Sequence, residues 1–200
     1  SDVCSSDLIQ CTGVDTLETL KIAKKYSNIR YQRTDFENTP VEFSKKFKFD
    51  VLWCHDAFQY CIKPIETLKN WTDIANESAM LVLSIPETVE IHRRMLSYFQ
   101  PAGCYYHYSI ASLMHMLAVN GWDCREGFFK KDIGDPWFHA IVYKSNHAPM
   151  NPTTTSWYEL AEKNLLPDSA IQSIQKYGFV RQEDLVLPWL DKSLSWLGKQ

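Results

Sequence analysis

Glycine is scarce in this 200-residue chain, and none of it is arranged to cradle a phosphate. The seven glycines are isolated and no G-x-G occurs. These residues therefore encode no Gly-rich turn that lets backbone N–H groups approach a phosphate closely. The cysteines, Cys4, Cys11, Cys54, Cys61, Cys104 and Cys124, include no C-x-x-C. Such scatter lacks the clustered spacing of a structural zinc site or a disulfide scaffold. It predicts reduced thiols, a cytoplasmic protein and no metal. No apolar run approaches the ~20 residues that span a bilayer. Ser1–Gln10 also lacks the basic start and long apolar stretch of a secretory leader. Finally, 21 Lys and Arg are mixed with 24 Asp and Glu for a net charge of −3, so no basic stripe marks a nucleic-acid surface. Neither a nucleic acid nor a membrane is predicted as a partner.

What the sequence does contain is core material: 45% of residues are hydrophobic, enough for one sizeable domain. From Ile9 to Lys144, short β-type runs alternate with helical stretches, the pattern of an α/β domain with a largely parallel sheet. Strands are predicted at Ile9–Asp15, Ile29–Arg33, Phe49–Cys54 and Met80–Ile85. The run Val51-Leu52-Trp53 is nearly continuous in apolar character, as in a strand covered on both faces. Helices are predicted at Leu17–Tyr26, at Ile65–Ala75 behind Pro64, at Val89–Phe99, and at Ile110–Val119 closed by Asn120-Gly121. Asp123–Lys130 and Trp137–Lys144 read as an antiparallel hairpin. Residues 146–155 form a Pro/Thr/Asn-rich linker. Residues 156–200 form a helical tail (Ser156–Lys163, Asp168–Tyr177, Gln182–Leu197) interrupted at Pro188, and a candidate surface for homo-oligomers or for capping a ligand.

In open parallel sheets, ligands bind beyond the carboxyl ends of the strands. Asp15 ends the first strand, where a carboxylate can accept hydrogen bonds from both hydroxyls of a ribose. Asp35, just past the second, could accept from an adenine amino group. The third strand runs into Cys54-His55-Asp56-Ala57-Phe58-Gln59-Tyr60, the densest cluster of functional groups in the chain. A Cys nucleophile is disfavoured there, because adjacent strand residues point to opposite faces.

The order of these residues carries a resemblance. Cys11–Asp15 with Thr16–Tyr26 looks like the second strand and following helix of class I S-adenosylmethionine-dependent methyltransferases. Phe49–Tyr60 resembles that family's fourth-strand motif, with Gln59-Tyr60 in place of the more usual Glu-His. Tyr105–Ser109, the helix after it and Asn120-Gly121-Trp122 resemble the substrate-side segment of its small-molecule branch. The closing hairpin is similar to that fold's reversed last strand. More distantly, the whole chain resembles methyltransferases carried by marine tailed phages.

The resemblance implies a Rossmann-like sheet, S-adenosylmethionine as cofactor and a small-molecule acceptor. It implies cofactor contacts from Asp15, Asp35, Phe36, Cys54, His55 and Phe58. Acceptor contacts would come from Gln59, Tyr60, Tyr106, His107 and Tyr108, with His55 or His107 as general base where the acceptor must lose a proton. The family's Gly-rich first strand and turn have no counterpart here. Ser1–Leu8 resembles a translated sequencing adapter, of the kind met in metagenomic sequences, and is set aside, leaving a partial methyltransferase domain over 9–145. The expectation is a truncated fragment, inactive alone, whose strands at Ile9–Asp15 and Phe49–Cys54 either pair directly or leave the sheet split. Two rival readings remain, a nicotinamide-dependent dehydrogenase and a non-catalytic Rossmann-like binding domain.

Overall fold

In the computed structural model of the protein, residues 11–15, 29–33, 37, 48–86, 106, 108–131, 137–181 and 185 are described. Strands β1 (Cys11–Asp15) and β2 (Ile29–Arg33) pair in parallel as a two-stranded sheet. The other four are β3 (Phe49–His55), β4 (Ala75–Pro86), β5 (Trp122–Lys131) and β6 (Trp137–Lys144). They form a second sheet in the order β3-β4-β6-β5. β3 and β4 are parallel, while β6 runs antiparallel to both β4 and β5. The predicted hairpin therefore forms, and its second strand inserts beside β4. Among the described residues β1 and β3 do not pair, and the strands form two separate sheets. The helices predicted at Leu17–Tyr26, Val89–Phe99 and, Leu185 apart, Gln182–Leu197 lie outside the described residues.

Helix α1 spans Pro64–Ile74, with Pro64 in its first turn, where a missing N–H costs nothing. Helix α2 spans Ile110–Val119 and begins with a capping box between Ser109 and Ser112. It ends at Asn120, followed by Gly121 at φ +88°, a left-handed turn that glycine adopts without steric cost. The C-terminal end of α1 is held from two sides. Lys144 Nζ donates to the carbonyls of Thr72 (2.8 Å) and Ala75 (2.9 Å), and Lys48 Nζ donates to that of Asp73. Cations at this end also complement the helix dipole. β4 begins earlier than its apolar run predicts. Phe49 pairs with Ala75, and the register then slips so that Val51 faces Met80, leaving the polar Asn76–Ser78 in the irregularity.

Strand alternation sorts the second sheet into two faces. Leu81, Leu83 and Ile85 of β4 and Ala140 and Val142 of β6 are buried with Leu68, Trp71 and Ile74 of α1 and Leu113, Met114 and Leu117 of α2. Burying each such large side chain contributes ~1.5–3 kcal/mol. Helices α3 (Trp157–Glu162) and α4 (Asp168–Tyr177) join the same core through Leu160, Leu165, Leu166, Ala170 and Ile174. The Cys124 N–H donates to the Leu165 carbonyl at 3.0 Å. The described part of the tail thus buries these five residues within its own chain, while Tyr158 and Phe179 stay exposed.

The opposite face corrects one expectation. Val51 and Trp53 are 48% and 76% exposed, so β3 is covered on one face only. A continuous apolar run cannot report which face is covered; here α1 and α2 pack on the same side of the sheet. Among the described residues no helix is long and apolar enough to cross a membrane.

Candidate functional site

The C-terminal ends of β3 and β4 lie side by side, because parallel pairing sets His55 opposite Ser84. Alternation buries Cys54 and exposes His55. Burial pushes the Cys54 thiol up to about 12, against the lowering effect of the backbone N–H groups of Phe58 and Ala57. A thiol held that high is not a nucleophile at neutral pH. Cys54, His55 and Asp56 therefore do not converge on one atom.

After His55 the chain turns sharply. Asp56 adopts φ +51°, a left-handed conformation that Asp tolerates better than most residues. Its N–H donates to the Ser84 carbonyl at 2.9 Å, tying the turn to β4. A 3-10 turn over Phe58–Tyr60 follows. Within it Phe58 is fully buried, with ring centroids 5.7 Å from Trp71 and 5.4 Å from Tyr108. Its contacts are core contacts. Gln59 is also buried, and its Nε2 donates to Asp56 Oδ1 at 2.5 Å. Tyr60 is half-buried, Tyr108 buried and Tyr106 exposed. Tyr106 stacks on Tyr108 at 6.3 Å and donates from its hydroxyl to the Ile62 carbonyl at 3.2 Å.

The structure thus brings together Cys54, Phe58, Gln59, Tyr60, Tyr106 and Tyr108, while His55 faces the other side of the sheet. Asp15 is placed by its backbone as the last residue of β1. Asp35, Phe36 and His107 lie outside the described residues.

Two residues that the sequence did not single out belong to this region. Glu37 accepts from the N–H groups of Ile62 (2.9 Å) and Lys63 (3.1 Å), capping the start of α1. Its carbonyl accepts from Asn70 Nδ2 at 3.1 Å. It clips the segment after β2 to the turn that Tyr106 also contacts. His139 sits opposite Ser84 on β6, with Nδ1 2.7 Å from Ser84 Oγ. His55, Ser84 and His139 form a row across three strands on the less covered face. Neither contact has a periodic signal, since each joins residues far apart in sequence. Among the described residues no group of three His, Cys, Asp or Glu is placed to hold a metal ion.

Strand order, antiparallel β6 and a polar turn at the tips of β3 and β4 together define a Rossmann-like mixed sheet. Solved structures share it. A chain of the complex between the Haloferax volcanii Trm112 methyltransferase activator and a methyltransferase superposes with a TM-score of 0.58 at 14% identity, covering 70% of this chain and 73% of that one. The plantazolicin methyltransferase BpumL, solved with S-adenosylhomocysteine and a pentazolic desmethylPZN analog, gives 0.54 at 16% identity over 70% and 68% of the two chains. The CurJ carbon methyltransferase gives 0.56 at 13% identity over 72% of this chain and 44% of its own. No protein-family model and no curated protein matches the sequence. The likeness is one of fold, a Rossmann-like sheet shared with these methyltransferase structures.

Proposed function

We propose that the protein transfers a methyl group from S-adenosylmethionine to a small-molecule acceptor. The observation that carries this reading is antiparallel β6 between β4 and β5, beside a parallel β3-β4 pair whose tips hold His55 and the Asp56–Tyr60 turn. Dehydrogenase sheets generally lack that reversed strand, which disfavours the nicotinamide reading. In methyl transfer the acceptor's lone pair forms the bond to carbon as the carbon–sulfur bond breaks and its electrons stay on sulfur. Alignment in a dry pocket contributes most of the rate.

In this reading the acids at Asp15 and Asp35, with Phe36, hold the nucleoside. His55 or His107 takes a proton where the acceptor must release one, and Gln59, Tyr60, Tyr106 and Tyr108 border the acceptor. A cytoplasmic location belongs to the same reading, from cysteines that lack the spacing of a disulfide scaffold.

Calorimetric titration with S-adenosylhomocysteine and with NAD tests the proposal. Saturable binding of the first and none of the second is expected. Because these residues contain no G-x-G, the affinity should be weaker than micromolar. Binding of NAD alone favours the dehydrogenase, and binding of neither favours a non-catalytic domain.

A further inference from the structure

The turn at the tip of β3 contains an unbalanced amide. Gln59 is 2% exposed, and its Oε1 is buried without a hydrogen-bond partner. The orientation of the amide is fixed by chemistry. A carboxylate only accepts hydrogen bonds, so the nitrogen must face Asp56 Oδ1 and the oxygen must face away. Flipping the amide would set two acceptors against each other. A buried acceptor without a donor is destabilising, and Asp56 beside it holds a positive φ, +51°. Strain of this kind gathers where a ligand is held.

We propose that Asp56 and Gln59 receive the N–H groups of a primary amine carried by a ligand. The two side chains offer oxygen acceptors of complementary kind, a carboxylate that balances positive charge and an amide oxygen that needs a donor. A thioether has no proton to donate, and a hydroxyl could donate to the amide oxygen but would bring no charge to the carboxylate. The proposal rests on the methyltransferase reading for its source of amines. These are the amino group of the cofactor's amino-acid portion and an amine that accepts the methyl group.

The test follows the Gln59 side-chain amide signal of the 200-residue chain by 15N NMR during titration with ethylammonium, tetramethylammonium, S-adenosylhomocysteine and 5′-methylthioadenosine. Ethylammonium is expected to move the signal saturably, and tetramethylammonium, a cation with no N–H, to leave it in place. A shift with S-adenosylhomocysteine but not 5′-methylthioadenosine assigns the site to the cofactor's amino group. A shift with ethylammonium but not S-adenosylhomocysteine assigns it to an amine acceptor. Gln59→Met keeps the side-chain length and removes both polar atoms. It should hold the melting temperature within a few degrees and weaken the amine at least tenfold.

An unmoved Gln59 signal with every N–H probe overturns the proposal, as does an equal response to tetramethylammonium or an unchanged amine affinity in Gln59→Met. The wild-type signal decides the matter even where the variant does not fold. If S-adenosylhomocysteine binds nowhere while ethylammonium moves Gln59, the methyltransferase reading fails and the amine site stands. If it binds while no amine reaches Gln59, the reverse holds.

Discussion

Ser84 Oγ lies 2.7 Å from His139 Nδ1, across the antiparallel pairing of β4 with β6. Ser84 is buried, so its hydroxyl depends on that ring. Ser84→Ala removes the hydroxyl with its need for a partner and should cost ~1 kcal/mol. His139→Leu leaves the hydroxyl behind and should cost ~1–3 kcal/mol. Denaturant unfolding of the two variants checks the order; an equal or smaller loss for His139→Leu contradicts it.

His115 gives the fold a pH dependence. Burial lowers its pKa, opposed by its hydrogen bond to the Thr155 carbonyl at 3.2 Å, and its ring meets Trp157 edge-on at 4.7 Å. A carbonyl only accepts, so Nε2 carries the proton. With the folded pKa below the unfolded one, the unfolded chain binds a proton more readily. The contribution is complete above the ordinary histidine range and is lost as pH falls through that range toward the folded pKa. His115→Gln should flatten this part of the stability profile between pH 7 and 5. A profile identical to wild type would count against it.

Gly121 and Gly178 separate two costs. Both hold positive φ, +88° and +83°. A Cβ on Gly121 would also sit 3.1 Å from the His147 carbonyl oxygen, whereas on Gly178 the nearest atom is Tyr158 Oη at 3.5 Å. Gly178→Ala should therefore cost ~1–2 kcal/mol for backbone conformation alone. Gly121→Ala should cost more, because a backbone carbonyl must also move. Thermal melts rank them, and the opposite ranking would refute the contact.

Cys54 and Cys124 should be inert in the native state. Burial raises both thiols, Cys54 to about 12 and Cys124 well above its ordinary value, so almost no thiolate exists at pH 8. Peptide mapping after iodoacetamide should find them unmodified until the chain is unfolded. Native alkylation at the rate of a free thiol would contradict the burial.

Much of this architecture is legible in local patterns. Ser109, Asn120 and Gly121 bracket α2 because caps act through neighbouring backbone groups, and the helix and its Asn120-Gly121 end coincide with the prediction. Asp168–Tyr177 and the closing hairpin were equally readable. The site was legible only in part. The Cys54–Tyr60 segment stood out by composition, and alternation alone predicted that Cys54 and His55 would diverge. Glu37 and His139 did not stand out, since their partners, Ile62, Lys63 and Ser84, are met only when distant segments pack.

The sequence by itself determined where most of the described strands and helices fall and that polar groups gather after β3, because periodicity, capping and turn chemistry are local. Only the tertiary structure decided that β6 inserts between β4 and β5, that α1 and α2 share one face and leave Trp53 exposed, and that Ser84 meets His139. Those outcomes depend on which surfaces bury together. A strand's hydrophobic pattern shows that it has a partner without saying which one.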